Sequence, residues 1–432
     1  MGSYNKIFLL ELDNGIKATA RIPGPLVGNL QLSVASEAAT MSYLYETGGA
    51  SIPKLLTWNA SADNAVKSPY LVTEFTPGTP LGDVWTKIRG PFARKALNLI
   101  IDNQIGMATA RFSQIGSLYF KEDVSPELQD RPLFAKDFNH SGLTDVARKY
   151  RIGPIADREW WRGARRDIDG DRGPWPDTAS YIVAAARFQK LCIAEGVDSD
   201  SPHMCLRHED SAEIEQLLDM CIAAAPHLAP LEPRLTAPTL AHPNLSGSNI
   251  IIDAHDLMEE WNIVGWQVAY KDGALLFPNK DSKPVLPKNI NCLPAEEQKQ
   301  FRAHLPFAKR QWRYISSMAE YIPEFAAAWG LPHWAVMCQL MLHINRCGAM
   351  GPLLLRQNLI ELEDIWPGIS SSPCPFHFSE EERTQHKVQF AMHEHYESAV
   401  DQLQDFLGCD RDGWVPNDRY QDALWCGSLS HR

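Results

Sequence analysis

The chain has 432 residues and a formal net charge of −12, with 44% hydrophobic and 22% charged residues. That is enough chain for two or three packed units, and the acidic balance excludes a general nucleic-acid binder, which carries a basic stripe. No apolar run reaches the roughly 18 residues of a spanning helix, so no membrane span is expected.

The N-terminus, "MGSYNKIFLLELDNG", lacks the basic region and small-residue cleavage site of a signal peptide, and it alternates like a strand. The nine cysteines are scattered, with no Cys-x-x-Cys pair. They read as small core hydrophobes in a reducing compartment, and a cytoplasmic location is expected.

In chain order, "KIFLLEL" and "IKATARI" read as strands around the turn Asn14-Gly15, a strong short hairpin signal. "SEAATMSYLYETG" reads as a helix closed by Gly48-Gly49. "PKLLTW" and "PYLVTEF" return as strands, and "TPGTPLGDVW" is a Pro/Gly break that reads as a linker. Beyond it, "PFARKALNLIIDNQIGMATARFS" and "ASYIVAAARFQKLCIAEG" carry apolar residues at helical spacing. "SNIIID" and "WNIVGWQVAY" read as two short strands. After about Pro294 the chain is helical again, to "SEEERTQHKVQFAMHEHYESAVDQLQDFLG". The division expected is residues 1–79, a sheet with one helix; 80–295, a helical unit carrying a hairpin; and 296–432, a helical extension packed on it.

The stretch "AHPNLSGSNIII" sets the functional question. Kinase-type phosphotransferases place His-x-Asp, four residues and then Asn before such a strand; here Asn244 stands at the Asp position. With "IVGWQ", "GSYNKIFLL", "ARIPGP", "SEAATM", "IGPIADREWWRG", "DRGPWP", "PCPFHFSEEE" and "DGWVP", it makes the chain resemble, end to end, the fungal aminoglycoside-phosphotransferase-like proteins of the altered-inheritance-of-mitochondria group. The resemblance implies an α+β, protein-kinase-like two-lobed fold, a small β-rich lobe and a large helical one, with ATP and magnesium between them. Members of the group have a longer N-terminal region, so no mitochondrial targeting segment is expected here.

Carried over residue by residue, Gly2, Ser3, Tyr4 and Asn5 match the loop over the phosphates, where small residues let backbone N–H groups approach oxygens. Arg21 matches the strand cation that pairs with phosphates, and Glu37 the helix carboxylate that orients it. His242 matches the scaffold histidine and Asn249 the metal-holding asparagine. Two matches fail: Asn244 replaces the catalytic base, and Gly265 replaces the metal-binding Asp of the group's Asp-Trp-Gln. Ser246 stands where the group often has His.

Asn can hydrogen-bond an acceptor hydroxyl but cannot take its proton, and positioned acid–base catalysis contributes about two to four powers of ten in rate. Gly265 offers no oxygen at all, whereas magnesium prefers hard anionic ligands. Asp253, Asp256, Glu259, Glu260 and Asp272 flank the hairpin and read as solvated turn residues, with a substitute carboxylate as the alternative.

The stretch "DREWWRGARRDIDGDRGPW" gathers five arginines among acids and tryptophans. It reads as a salt-bridged loop on the helical unit rather than an anion platform. His393 and Glu397 share a helix face, but the surrounding charge marks a solvated surface.

The function expected first is a pseudokinase-like binding role, with phosphoryl transfer lost and a small molecule in the inter-lobe cleft. The alternatives are a small-molecule biosynthetic enzyme using the cleft for non-phosphoryl chemistry, and an active ATP-dependent phosphotransferase.

Overall fold

The computed structural model describes residues 5–85, 87–197, 208–229, 232–241, 247–252, 262–263, 283–329, 331, 334–407, 415 and 420–421. Strands β1 (Asn5–Glu11) and β2 (Lys17–Pro23) form an antiparallel hairpin. Gly15 turns it with φ +80°, and the Ile16 N–H donates to Asn14 Oδ1 at 3.0 Å. Glycine has no Cβ to oppose that backbone conformation.

Helix α1 (Leu30–Thr47) begins earlier than the apolar pattern suggested, because Asn29 caps it, accepting from the Leu32 N–H at 3.1 Å. Gly48, at φ +64°, ends it. Strands β3 (Leu55–Asn59) and β4 (Tyr70–Glu74) complete a four-stranded antiparallel sheet in the order β1-β2-β4-β3.

Next come β5 (Thr79–Pro80), α2 (Leu81–Trp85) and α3 (Gly90–Ala108). They are followed by β6 (Ser117–Phe120), the short helices α4 (Pro126–Gln129) and α5 (Thr144–Lys149), and β7 (Tyr150–Gly153). The β6–β7 pair is a separate antiparallel ribbon, which sequence periodicity did not announce.

Helices α6 (Thr178–Ala194), α7 (His208–Leu228) and α8 (Pro233–Thr236) lead to strands β8 (Ile250–Ile252) and β9 (Asn262–Ile263). Then follow α9 (Ala295–Tyr321), α10 (Pro323–Trp329), α11 (Trp334–Met350), α12 (Leu353–Ile365) and α13 (Glu380–Leu407). A small strand-rich N-terminal part followed by a helix-dominated one is the α+β, kinase-like plan expected.

The stretch read as a linker is partly a strand. Thr79 pairs with Ile252 and Pro80 with Ile251, so β5 forms a sheet with β8 and β9. Gly78 permits the approach: a Cβ there would lie 2.5 Å from the Ile252 carbonyl oxygen. Two large cores follow. One joins Val34, Tyr43 and Leu71 of the first sheet and its helix to Ile100, Phe120, Tyr150 and Ile250. The other packs α6, α7, α11 and α12 through Ile182, Phe188, Leu218, Ile344 and Leu359, with Trp160 and Trp175.

Candidate functional site

Arg21 lies on β2, opposite Ile7 of β1 on one side and Leu71 of β4 on the other. A central strand holds its residues in fixed alternation, so Arg21 is aimed by the sheet itself. Its guanidinium pairs with the Glu37 carboxylate on α1. The Arg21 side chain is 15% exposed and that of Glu37 38%, so the pair is sheltered yet open on one side. Burial pulls the Arg21 guanidinium down to about 10, which leaves it cationic at neutral pH. Asn5 opens β1, opposite Pro23.

Asn249 closes the 3-10 turn Gly247–Asn249 and leads directly into β8, half-buried. The turn is pinned from the other side of the chain. A Cβ on Gly247 would lie 2.8 Å from the backbone of Gly82 in α2. Asn5, Arg21 and Glu37 are therefore gathered at the first sheet, while Asn249 sits at the start of the second. Gly2, Ser3, Tyr4, His242, Asn244, Ser246 and Gly265 lie outside the described residues, as do Asp253, Asp256, Glu259, Glu260 and Asp272.

The described residues of the site offer the Arg21 cation, held by Glu37, and the neutral amide of Asn249. Arg21 offers a charge to a phosphate or carboxylate. For a metal, Asn249 contributes one neutral amide and Gly265 has no side chain. Among the described residues no group of three His, Cys, Asp or Glu side chains converges as a metal site would need.

The arginine-rich loop is part of the fold. Arg165 is fully buried, donating to the Glu159 carbonyl at 2.7 Å and to Gln189 Oε1 at 3.0 Å. Arg172 stacks on Trp161, 4.0 Å from its ring centre, and Arg162 pairs with Glu159 at 3.0 Å.

No family model matches the chain. It is 26% identical to a subtelomeric hrmA-associated cluster protein of Aspergillus fumigatus, over 98% of this chain and 89% of that one. It is 21% identical to the Yarrowia lipolytica protein named "Altered inheritance of mitochondria protein 9, mitochondrial", over 99% and 76%. Homologues of this chain thus include fungal altered-inheritance-of-mitochondria proteins. Among solved structures, a ternary complex of aminoglycoside phosphotransferase APH(4)-Ia with AMP-PNP and hygromycin B covers 86% of this chain and 93% of its own, at 13% identity and a TM-score of 0.34.

The homologues' names overturn the expected cytoplasmic location, since proteins matching 99% of this chain are named mitochondrial. The expectation rested on the scattered cysteines, and a reducing environment does not by itself name a compartment.

Proposed function

We propose that this kinase-like protein binds an anionic small molecule, nucleotide among the candidates, at the Arg21–Glu37 pair, and that it does not transfer phosphate. The observation that carries this reading is the sheltered pair itself. A guanidinium held by a carboxylate on the neighbouring helix is a fixed, oriented cation, suited to phosphate oxygens. The loss of transfer is argued from the sequence. Asn244 cannot accept a proton, and Gly265 removes the anionic oxygen on which metal-bridged phosphate depends. The proposed binding rests on the Arg21–Glu37 pair and the proposed loss of transfer on the identities of residues Asn244 and Gly265, so the two are tested apart.

A thermal-shift titration with ATP, run with and without magnesium, tests binding. Saturation at a hundred times the dissociation constant adds about 2.7 kcal/mol of stability. A rise that is independent of magnesium and absent in Arg21→Met is the expected result. ATP consumption tests transfer: the wild type should stay at background with hydroxyl and amine acceptors. Magnesium-dependent turnover by the wild type would overturn the reading in favour of an active phosphotransferase.

A further inference from the structure

We infer that the β6–β7 ribbon is a brace for α1, and that Tyr119 is a positioning residue acting through α1 and Glu37 on Arg21. The inference rests on the reading of Arg21 as the anion-binding cation. Helix α1 is gripped along its length by residues that lie beyond the first sheet. At its start, Gly28 abuts Trp161: φ is +96°, and a Cβ there would lie 3.0 Å from Trp161 Cβ. At its end, Tyr43 meets Tyr150 edge-on with ring centres 5.7 Å apart, and Glu46 pairs with Lys149.

The middle grip is nearest Glu37. Ala35, two residues away, packs in a small cluster with Tyr119, Val124 and Leu128. Ala35, Ala38 and Ala39 are all buried, and such small residues let a strand approach a helix closely. Tyr119 has little freedom to retreat. It is fully buried, its hydroxyl donates to the Pro154 carbonyl at 2.9 Å, and its ring lies where a Cβ on Gly153 would stand, 2.8 Å away. A rigid ring thus sets the height of α1 above the ribbon and, through the helix, the place of the Glu37 carboxylate.

The consequence is a cation held in position before any ligand arrives, with α1 unable to swing as a unit. Hydrogen exchange of the Arg21 Nε–H, followed by side-chain 15N NMR and identified by its absence in Arg21→Lys, reads that position without any nucleotide. Tyr119→Ala should speed this exchange by about tenfold or more, as expected when a local opening becomes easier. Tyr119→Phe keeps the ring and should remain within about twofold of wild type. If Tyr119→Ala does not fold, Ala35→Leu disturbs the same contact from the helix side by overpacking it and should also accelerate the exchange. Exchange at Arg21 unchanged in Tyr119→Ala, or in Ala35→Leu where that variant stands in for it, would overturn the inference. Failure of the wild type to bind ATP would strike only the proposed function, since the exchange measurement does not depend on it.

Discussion

At the scale of single residues, the sheltered ion pair makes a specific stability forecast. Glu37→Gln leaves the Arg21 charge without its counter-ion in a mostly dry place. Because Glu37 is 38% exposed, solvent screens part of the loss, and about 1 kcal/mol is expected. The double change Arg21→Met with Glu37→Leu should cost less than Glu37→Gln alone, since no stranded charge remains. Urea midpoints of the variants decide the order. His386 offers a second forecast. It is buried, its Nε2 faces Gln357, and burial together with the nearby Arg356 cation pulls it down to about 4 from an ordinary 6.5. The folded state therefore refuses a proton that the unfolded chain accepts. Stability from this group is complete above about pH 6.5 and is lost as the pH falls towards 4, by at most about 1.4 kcal/mol per pH unit. His343, pulled down by its own burial, acts in the same direction. Replacing His386 with Leu should flatten the slope of the urea midpoint between pH 6.5 and 4; a slope equal to wild type would refute the assignment.

At the scale of elements, the close crossing of α3 over the loop before β3 is the point least able to give. A Cβ on Gly106 would lie 1.9 Å from the Gly49 carbonyl oxygen. Alanine in a helix interior is intrinsically better than glycine by about 1 kcal/mol, but here the clash wins. Gly106→Ala should lower stability by about 1–3 kcal/mol, the usual range for overpacking. Gly142→Ala, with no atom within 4 Å of the added carbon, should stay within about 0.5 kcal/mol of wild type. Thermal unfolding of the two variants side by side makes the comparison. The same logic explains the segment at Gly78 and Gly82: glycines there mark where β5 and α2 press on the turn and strand that carry Asn249.

At the scale of the whole molecule, the secondary structure changes character near residue 79 but the core does not break there. Val34, Ala38, Ala39 and Tyr43 of α1 share one cluster with Phe120, Tyr150 and Ile250. A fragment of residues 1–79 would expose that face and have too little apolar surface left to offset its chain entropy. Expressed alone, it should give poorly dispersed amide resonances, whereas the full chain should not. A well-dispersed spectrum from the fragment would mean that the first sheet is an independent folding unit.

The sequence alone determined what local chemistry controls. Asn14-Gly15 fixed the first turn because few other pairs accept its backbone angles, and apolar spacing placed α3 and α6 because a helix of that length must bury a stripe. The motif match picked out Arg21 and Glu37 as partners, and the two side chains do meet. What the tertiary structure decided depends on partners distant in the chain. The two residues of β5 are a strand only because Ile251 and Ile252 lie beside them, and the four of β6 only because β7 does. Arg165 carries a charge, yet it is fully buried because the Glu159 carbonyl and Gln189 converge on it after folding. No pattern within a short window encodes these meetings, since the entropy of closing long loops is offset only when all the partners arrive together.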